Sequence, residues 1–246
     1  ANFNSDIGTA TLVEHTLESQ LDKQAYKQAE RLLTGRGLRL KMSKIKLLSM
    51  LMDLEREKAA ADLLTTTGNF DSTCRSALTS TDCWSDYTNS NPIKAIKAAR
   101  EAVRTQSGVL PNKLVLGGLA WQTLKEHPVI LDRIKYAQLG VSTIQLVAAI
   151  LELDEIIVGG AVYSSDAGVN ADVWGDVAIL MYIPANLTPE TDLEGEPLHS
   201  VGFNLIGYPE VQEFDEKMNM CFIQTQKYLQ TVVSIYNGFL FTNVIA

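Results

Sequence analysis

Asn91-Pro92-Ile93-Lys94-Ala95-Ile96 has the plainest local signals in the chain. Asn91 is a good N-cap, and Pro92 suits the first helical position, where its missing N–H costs nothing. Ile93, Ile96, Ala99 and Val103 then form one apolar stripe, Lys97 and Glu101 stand at i,i+4 as a pair, and Gly108 ends the helix. Pro111-Asn112 turns into a strand over 114–116. Gly117-Gly118 leads into a helix carrying Leu119, Trp121 and Leu124, which stops at His127-Pro128. A short helix follows through Ile130 and Ile134. Ser142 and Gln145 read as a capping box for a helix over 143–151. An apolar strand over 155–158 ends in Gly159-Gly160, and Ala161-Val162-Tyr163 continues it towards a flexible loop, 164–172. Val173-Trp174 and 177–183 read as strands around a turn at Gly175-Asp176.

The flanks differ in texture. Residues 1–20 are polar without a sustained period and read as an arm or loop that borrows its order from something else. Residues 21–33 are mixed, and Gly35 and Gly37 punctuate the chain. Residues 38–64 hold no Gly or Pro, and Leu38, Met42, Ile45, Leu48, Met52, Ala59 and Leu63 keep three- and four-residue spacing. That predicts one long helix of roughly 40 Å at ~1.5 Å per residue, a spine for other elements; a coiled coil is the alternative. Residues 65–91 are a Thr/Ser/Asn/Asp-rich link with Trp84 and Tyr87. Beyond Pro184 an acidic crossing segment (Pro189, Asp192, Glu194, Glu196, Pro197) precedes β-structure over 201–208 and 220–245, with a turn at Asn237-Gly238. A helix-strand unit over 92–184 is thus inserted between a long helix and a C-terminal sheet.

Composition narrows the function. The chain has 246 residues, 46% hydrophobic and 20% charged, enough for a real core. No run reaches the ~18–20 apolar residues of a membrane-spanning helix; the richest, 144–151, is followed by Glu152, Asp154 and Glu155. No basic, apolar leader of secretory type is visible, and the first residue, Ala1, is not Met, as expected of a processed product or part of a longer chain. Cys74, Cys83 and Cys221 form no C-x-x-C pair and read as reduced thiols, with a Cys74–Cys83 bridge as the alternative. A net charge of −8 argues against a protein that coats duplex nucleic acid.

The motifs that would carry chemistry are weak. Leu114-Val115-Leu116-Gly117-Gly118 and Ile156-Ile157-Val158-Gly159-Gly160 look superficially like phosphate loops but match neither dinucleotide nor P-loop spacing; turn geometry at a strand end explains them better. His15, His127 and His199 lack metal-ligand spacing, and His127, ahead of Pro128, reads as a helix cap. The acidic groups at 192–196 and 210–216 lack the alternation of a calcium loop and read as solvated or interface segments. No G-x-S-x-G elbow is present. Catalytic, cofactor-binding and metal-binding residues are therefore expected to be none, and the chain is not expected to be an enzyme.

Six pieces in order resemble the major capsid proteins of tailed bacteriophages, the family with the Hong Kong 97-like fold that encapsulin shells share. They are Asn91 to Ile96, Pro111 to Gly117, Leu124-Lys125-Glu126-His127-Pro128, Arg133-Ile134-Lys135-Tyr136, Ile157 to Tyr163 and Val173-Trp174-Gly175-Asp176. The resemblance covers about a third of the chain and implies an α+β capsid fold with a long spine helix, an inserted axial domain and a peripheral β-sheet. Residues 1–37 would be an N-terminal extended segment with part of the E-loop, 38–91 the peripheral domain's spine helix and link, 92–184 the axial domain, and 185–246 the peripheral domain's return strands. Relatives have more chain ahead of the spine helix. The implied function is a shell subunit that assembles with itself in pentamers and hexamers into an icosahedral virion shell in the host bacterial cytoplasm. That shell would enclose DNA without sequence-specific binding, would not involve a membrane, and would take portal, scaffolding or decoration proteins as further partners. The candidate ring-axis loop is Ser164, Ser165, Asp166, Ala167, Gly168, Val169, Asn170, Ala171 and Asp172. An encapsulin-like compartment is the alternative from the same fold, and a nucleotide-binding α/β enzyme built on 92–184 the alternative from a different class.

Overall fold

The computed structural model describes residues 12–135, 143–164, 168–183, 201–207, 209–216, 218–232 and 234–246. The chain forms two compact units, one from Ala1–Arg56 with Asn204–Gln230, the other from Glu57–Phe203 with Thr231–Ala246. Tyr136, Ser142, Ser165, Asp166, Ala167, His199 and the acidic crossing segment lie outside the described residues.

In the first unit, β1 (Val13–Asp22) pairs antiparallel with β10 (Asn219–Val232), from Val13 opposite Tyr228 to Asp22 opposite Asn219. β10 also borders β8 (Gly202–Ile206) and the antiparallel β9 (Glu210–Asp215). The expectation of an arm over 1–20 is corrected here: from Val13 onward the chain is a strand paired within its own sheet. Its alternation was hard to see because His15 and Ser19 share the inward face with Leu17 and Leu21. The mixed stretch after it is α1 (Lys23–Leu32), capped by Asp22, whose carboxylate accepts from the Gln24 N–H at 2.8 Å. The long helix α2 (Arg36–Thr65) starts two residues earlier than expected. Gly37 lies inside it, with the Tyr26 ring where a β-carbon would stand, 2.7 Å away, so it serves close packing and not punctuation. Leu48, Ile45 and Leu40 of α2 pack with Leu17, Leu21, Phe222 and Met220 of the sheet. Farther along β10, polar residues take over the inner face. Gln224 accepts from Ser49 Oγ (3.0 Å), Gln230 Nε2 donates to the Arg56 carbonyl (3.0 Å), and the Tyr228 ring stacks on His15 at 4.0 Å.

The second unit is built on a five-stranded mixed sheet of order β2 (Arg75–Ala77), β11 (Gly238–Thr242), β7 (Ala178–Met181), β3 (Lys113–Gly117), β4 (Glu155–Gly159). Both faces are buried. Leu114, Leu116, Ile156, Leu180, Phe239 and Phe241 share one core with α3 (Pro92–Ser107), α4 (Gly118–Glu126), α5 (Pro128–Ile134) and α6 (Ile144–Leu151). Val115, Ile179, Met181 and Leu240 share a second core with Phe70, Val177, Val201 and Leu64. A strand buried on both sides reads as a continuous apolar run, which is why β3 and β7 stand out in the sequence; β4, at the sheet edge, is as apolar although Ile157 is exposed. Each such side chain removed from water contributes about 1.5–3 kcal/mol before entropy is counted.

Several local expectations change. α6 is capped by Thr143, whose hydroxyl accepts from the Leu146 N–H at 3.4 Å. Lys97 pairs with Glu152 at 2.7 Å, and Glu101 pairs instead with Arg104, because the α6 terminus brings Glu152 to α3 and an arginine one turn on offers two donors. Residues 173–174 are a bend and not a strand. Asn237-Gly238 is no hairpin turn, since β10 and β11 lie in different sheets. Through β2 and β11, residues 75–77 and 238–242 share a sheet with strands of 92–184, so the compact unit extends beyond the expected insertion on both sides.

Candidate functional site

The loop expected at 164–172 is, at its described ends, a two-stranded ribbon. β5 (Val162–Ser164) pairs antiparallel with β6 (Asn170–Asp172), placing Val162 opposite Asp172, Tyr163 opposite Ala171 and Ser164 opposite Asn170. Gly168 sits at φ +74, where a β-carbon is costly, and Val162 and Val169 are exposed. At its base, Lys58 Nζ lies 4.9 Å above the Tyr163 ring and pairs with Asp62, which holds its ammonium above the usual lysine range. Among its described residues the ribbon presents no cluster of titratable groups suited to chemistry.

The glycine doublets have a packing role. A β-carbon on Gly117 would stand 1.8 Å from the Gly175 carbonyl oxygen, and one on Gly159 would stand 2.0 Å from Trp174 Cδ1. The parallel ends of β3 and β4 thus lie directly under the bend 173–176, whose Gly175 takes φ +58. Neither Gly117 nor Gly159 has a positive φ, so close approach, and not the expected turn geometry, demands glycine there. Trp174 is anchored by its indole N–H, which donates to Glu57 Oε1 at 2.9 Å.

His127 is fully buried at the α4–α5 junction. Its Nδ1 accepts from the Val129 N–H (3.3 Å), which leaves the Nε2 proton for Ser90 Oγ (3.0 Å); that hydroxyl donates to the Asp86 carbonyl (2.8 Å). Burial pushes its pKa below the ordinary value, so the ring is a neutral cap, as expected. Cys74, Cys83 and Cys221 are free and buried, so the alternative Cys74–Cys83 bridge is not made.

A surface depression of about 670 Å³ at the start of β3 and β4 is lined by Asn112, Lys113, Asp154 and Glu155. Asn112 there is already committed. Its amide donates to Asp154 Oδ2 (3.1 Å) and to the Ile183 carbonyl (2.9 Å), and its oxygen accepts from the Ile183 N–H (2.9 Å). The group ties strand ends together and leaves no donor aimed outward. Among the described residues no group of three His, Cys, Asp or Glu side chains could hold a metal, and no helix is long and apolar enough to cross a membrane.

Comparison with known structures gives this arrangement a class. A phage-related protein from Bordetella bronchiseptica RB50 superposes with a TM-score of 0.79, 22% identical, covering 96% of this chain and 76% of that one. A protein described as a prophage capsid protein from E. coli CFT073 gives 0.58 at 15% identity, covering 94% and 77%. The chain has the Hong Kong 97-like capsid fold. In sequence it is a relative of the major capsid protein of Burkholderia phage BcepMu, 29% identical over 208 residues, which is 84% of this chain. The chain spans 65% of the length of that curated relative. No family model matches it.

Proposed function

We propose that this chain is the shell-forming part of a phage major capsid protein, which assembles with itself in pentamers and hexamers into an icosahedral shell enclosing phage DNA. The observation that carries the reading is the 29% identity to a phage major capsid protein along 84% of the chain. The fold agrees with it, and the polar groups of His127, Ser90 and Asn112 are hydrogen-bonded within the fold. In this reading the unit of Glu57–Phe203 with Thr231–Ala246, which holds residues 92–184, supplies the axial domain, and the start of α2 with the β1–β10 sheet belongs to the peripheral domain, with part of the E-loop ahead of α2. The β5–β6 ribbon, with its tip between Ser164 and Asn170, lies near the ring axes. The protein is a virion component made in the host cytoplasm, with portal, scaffolding or decoration proteins as further partners. Many identical subunits meeting through the same surfaces close a shell when each contact carries a fixed rotation.

The glycine doublets were the support for a nucleotide-binding enzyme. Their contacts with Gly175 and Trp174 give them a packing cause, so that alternative has no observation behind it. Electron microscopy of the purified protein under assembly conditions tests the shell reading. Rings or closed particles are expected. A monodisperse small monomer would overturn it, and particles that co-purify with an enzyme in place of DNA would assign the fold to an encapsulin-like compartment.

A further inference from the structure

The net charge of −8 hides a segregation. Residues 23–46 contain eight of the 21 Lys and Arg residues and one of the 29 acidic ones, Glu30. Glu30 does not neutralise this stretch by ion pairing: its two oxygens accept from the Gly35 and Gly37 N–H groups at 2.9 and 3.0 Å. Lys23 and Lys41 are paired with Asp215 and Glu213. Lys27, Arg31, Arg36, Arg39, Lys44 and Lys46 make no ion pair among the described residues, and all but Lys44 are exposed.

Their spacing is ordered. Lys27 and Arg31 are one turn apart on α1. Arg36, Arg39 and Lys46, with Ser43 between them, follow three-, four- and three-residue steps along one face of α2. The sheet takes the face of α2 that carries Ile45 and Leu48, so the basic stripe is left open to solvent.

We infer that this face of α1 and α2 is turned inward in the assembled shell and contacts the phosphates of the enclosed duplex without reading its sequence. The inference rests on the shell reading above. Charge complementarity selects the occupant. A phosphate lattice, with one charge per ~1.7 Å of duplex, accepts cations at any register, which suits long, unpaired Lys and Arg side chains. A protein partner would need matched carboxylates in fixed positions to meet the same cations. The acidic remainder of the chain repels the same polyanion, which confines contact to this face and keeps it weak.

Anisotropy titration of a labelled 30-bp duplex of arbitrary sequence with the purified chain, at 50, 100 and 200 mM salt, tests this. Expected is binding that weakens steeply with salt. The combined variant Arg36→Gln, Arg39→Gln, Lys46→Gln should lose about tenfold or more at the lowest salt and flatten the log–log salt slope by about two to three. Lys94→Gln with Arg133→Gln, exposed cations of the other unit, should bind as the parent does. No duplex binding by the parent chain, or equal binding by the α2 variant, overturns the inference. Poly-glutamate competing as well as duplex at equal charge overturns it in favour of an acidic protein partner. Electron microscopy of the same preparations separates the two readings. Particles without duplex binding sink only the basic-face inference, whereas no particles under assembly conditions sinks the shell reading and with it the identity of the duplex as cargo.

Discussion

Gly117 and Gly159 stand first in two doublets that look alike in sequence and differ sharply in space. A methyl group at Gly118 would meet nothing nearer than 3.7 Å and one at Gly160 nothing within 4 Å, while the first glycine of each pair has no room. Gly117→Ala and Gly159→Ala should each lose about 3 kcal/mol in urea denaturation, and Gly118→Ala and Gly160→Ala less than about 1 kcal/mol. Equal losses within a doublet would show that strand-end geometry, and not the bend above, sets the requirement. His127 gives a pH prediction of definite sign. Burial lowers its folded pKa, so below the ordinary 6.5 the unfolded chain takes up a proton that the folded chain refuses. This contribution is present above pH 6.5 and is lost as pH falls from there through the folded value, at no more than about 1.4 kcal/mol per pH unit. His127→Gln should flatten the decline between pH 6.5 and 5. A parallel decline in parent and variant would place the titration elsewhere.

At the scale of elements, caps and alternation carry different weights. Asn91 Oδ1 accepts from the Lys94 N–H at 3.0 Å and starts α3. Asn91→Ala should therefore cost about 1 kcal/mol by chemical denaturation and Asn91→Gly only a few tenths. The strands divide by environment. β7 is buried at all four positions and β9 is exposed at all six. Hydrogen exchange should be slowest for peptides covering β3, β7 and β11 and far faster for β9, because local opening costs least where few apolar contacts are lost. Protection of β9 equal to that of β7 in the unassembled chain would contradict this ordering. The same contrast explains what could be read from sequence. β3, β4 and β7 announced themselves as apolar runs. β1 did not, because half of its inward face is His15 and Ser19, and His15 is held by Glu55 and the Tyr228 ring in place of apolar neighbours.

For the whole molecule, charge acts in two directions. If the chain assembles as proposed, copies of net charge −8 repel one another, so particle yield, followed by light scattering, should rise as salt increases from about 10 to 150 mM and the Debye length contracts from about 30 to 8 Å. Duplex binding through the basic face should fall over the same range. A yield independent of salt would mean that net repulsion does not limit association.

The sequence by itself determined the long helix, the capped α3, the apolar strands of the central sheet and the capsid resemblance, because each depends on spacing between near neighbours. Only the tertiary structure decided the rest. It paired β1 with β10, put residues 75–77 and 238–242 into the sheet of 92–184, and turned two phosphate-like glycine doublets into packing contacts. It also left six cations of residues 23–46 without an ion pair among the described residues. These outcomes depend on which distant residues meet, and neither local periodicity nor a chain-wide sum of charges contains that information.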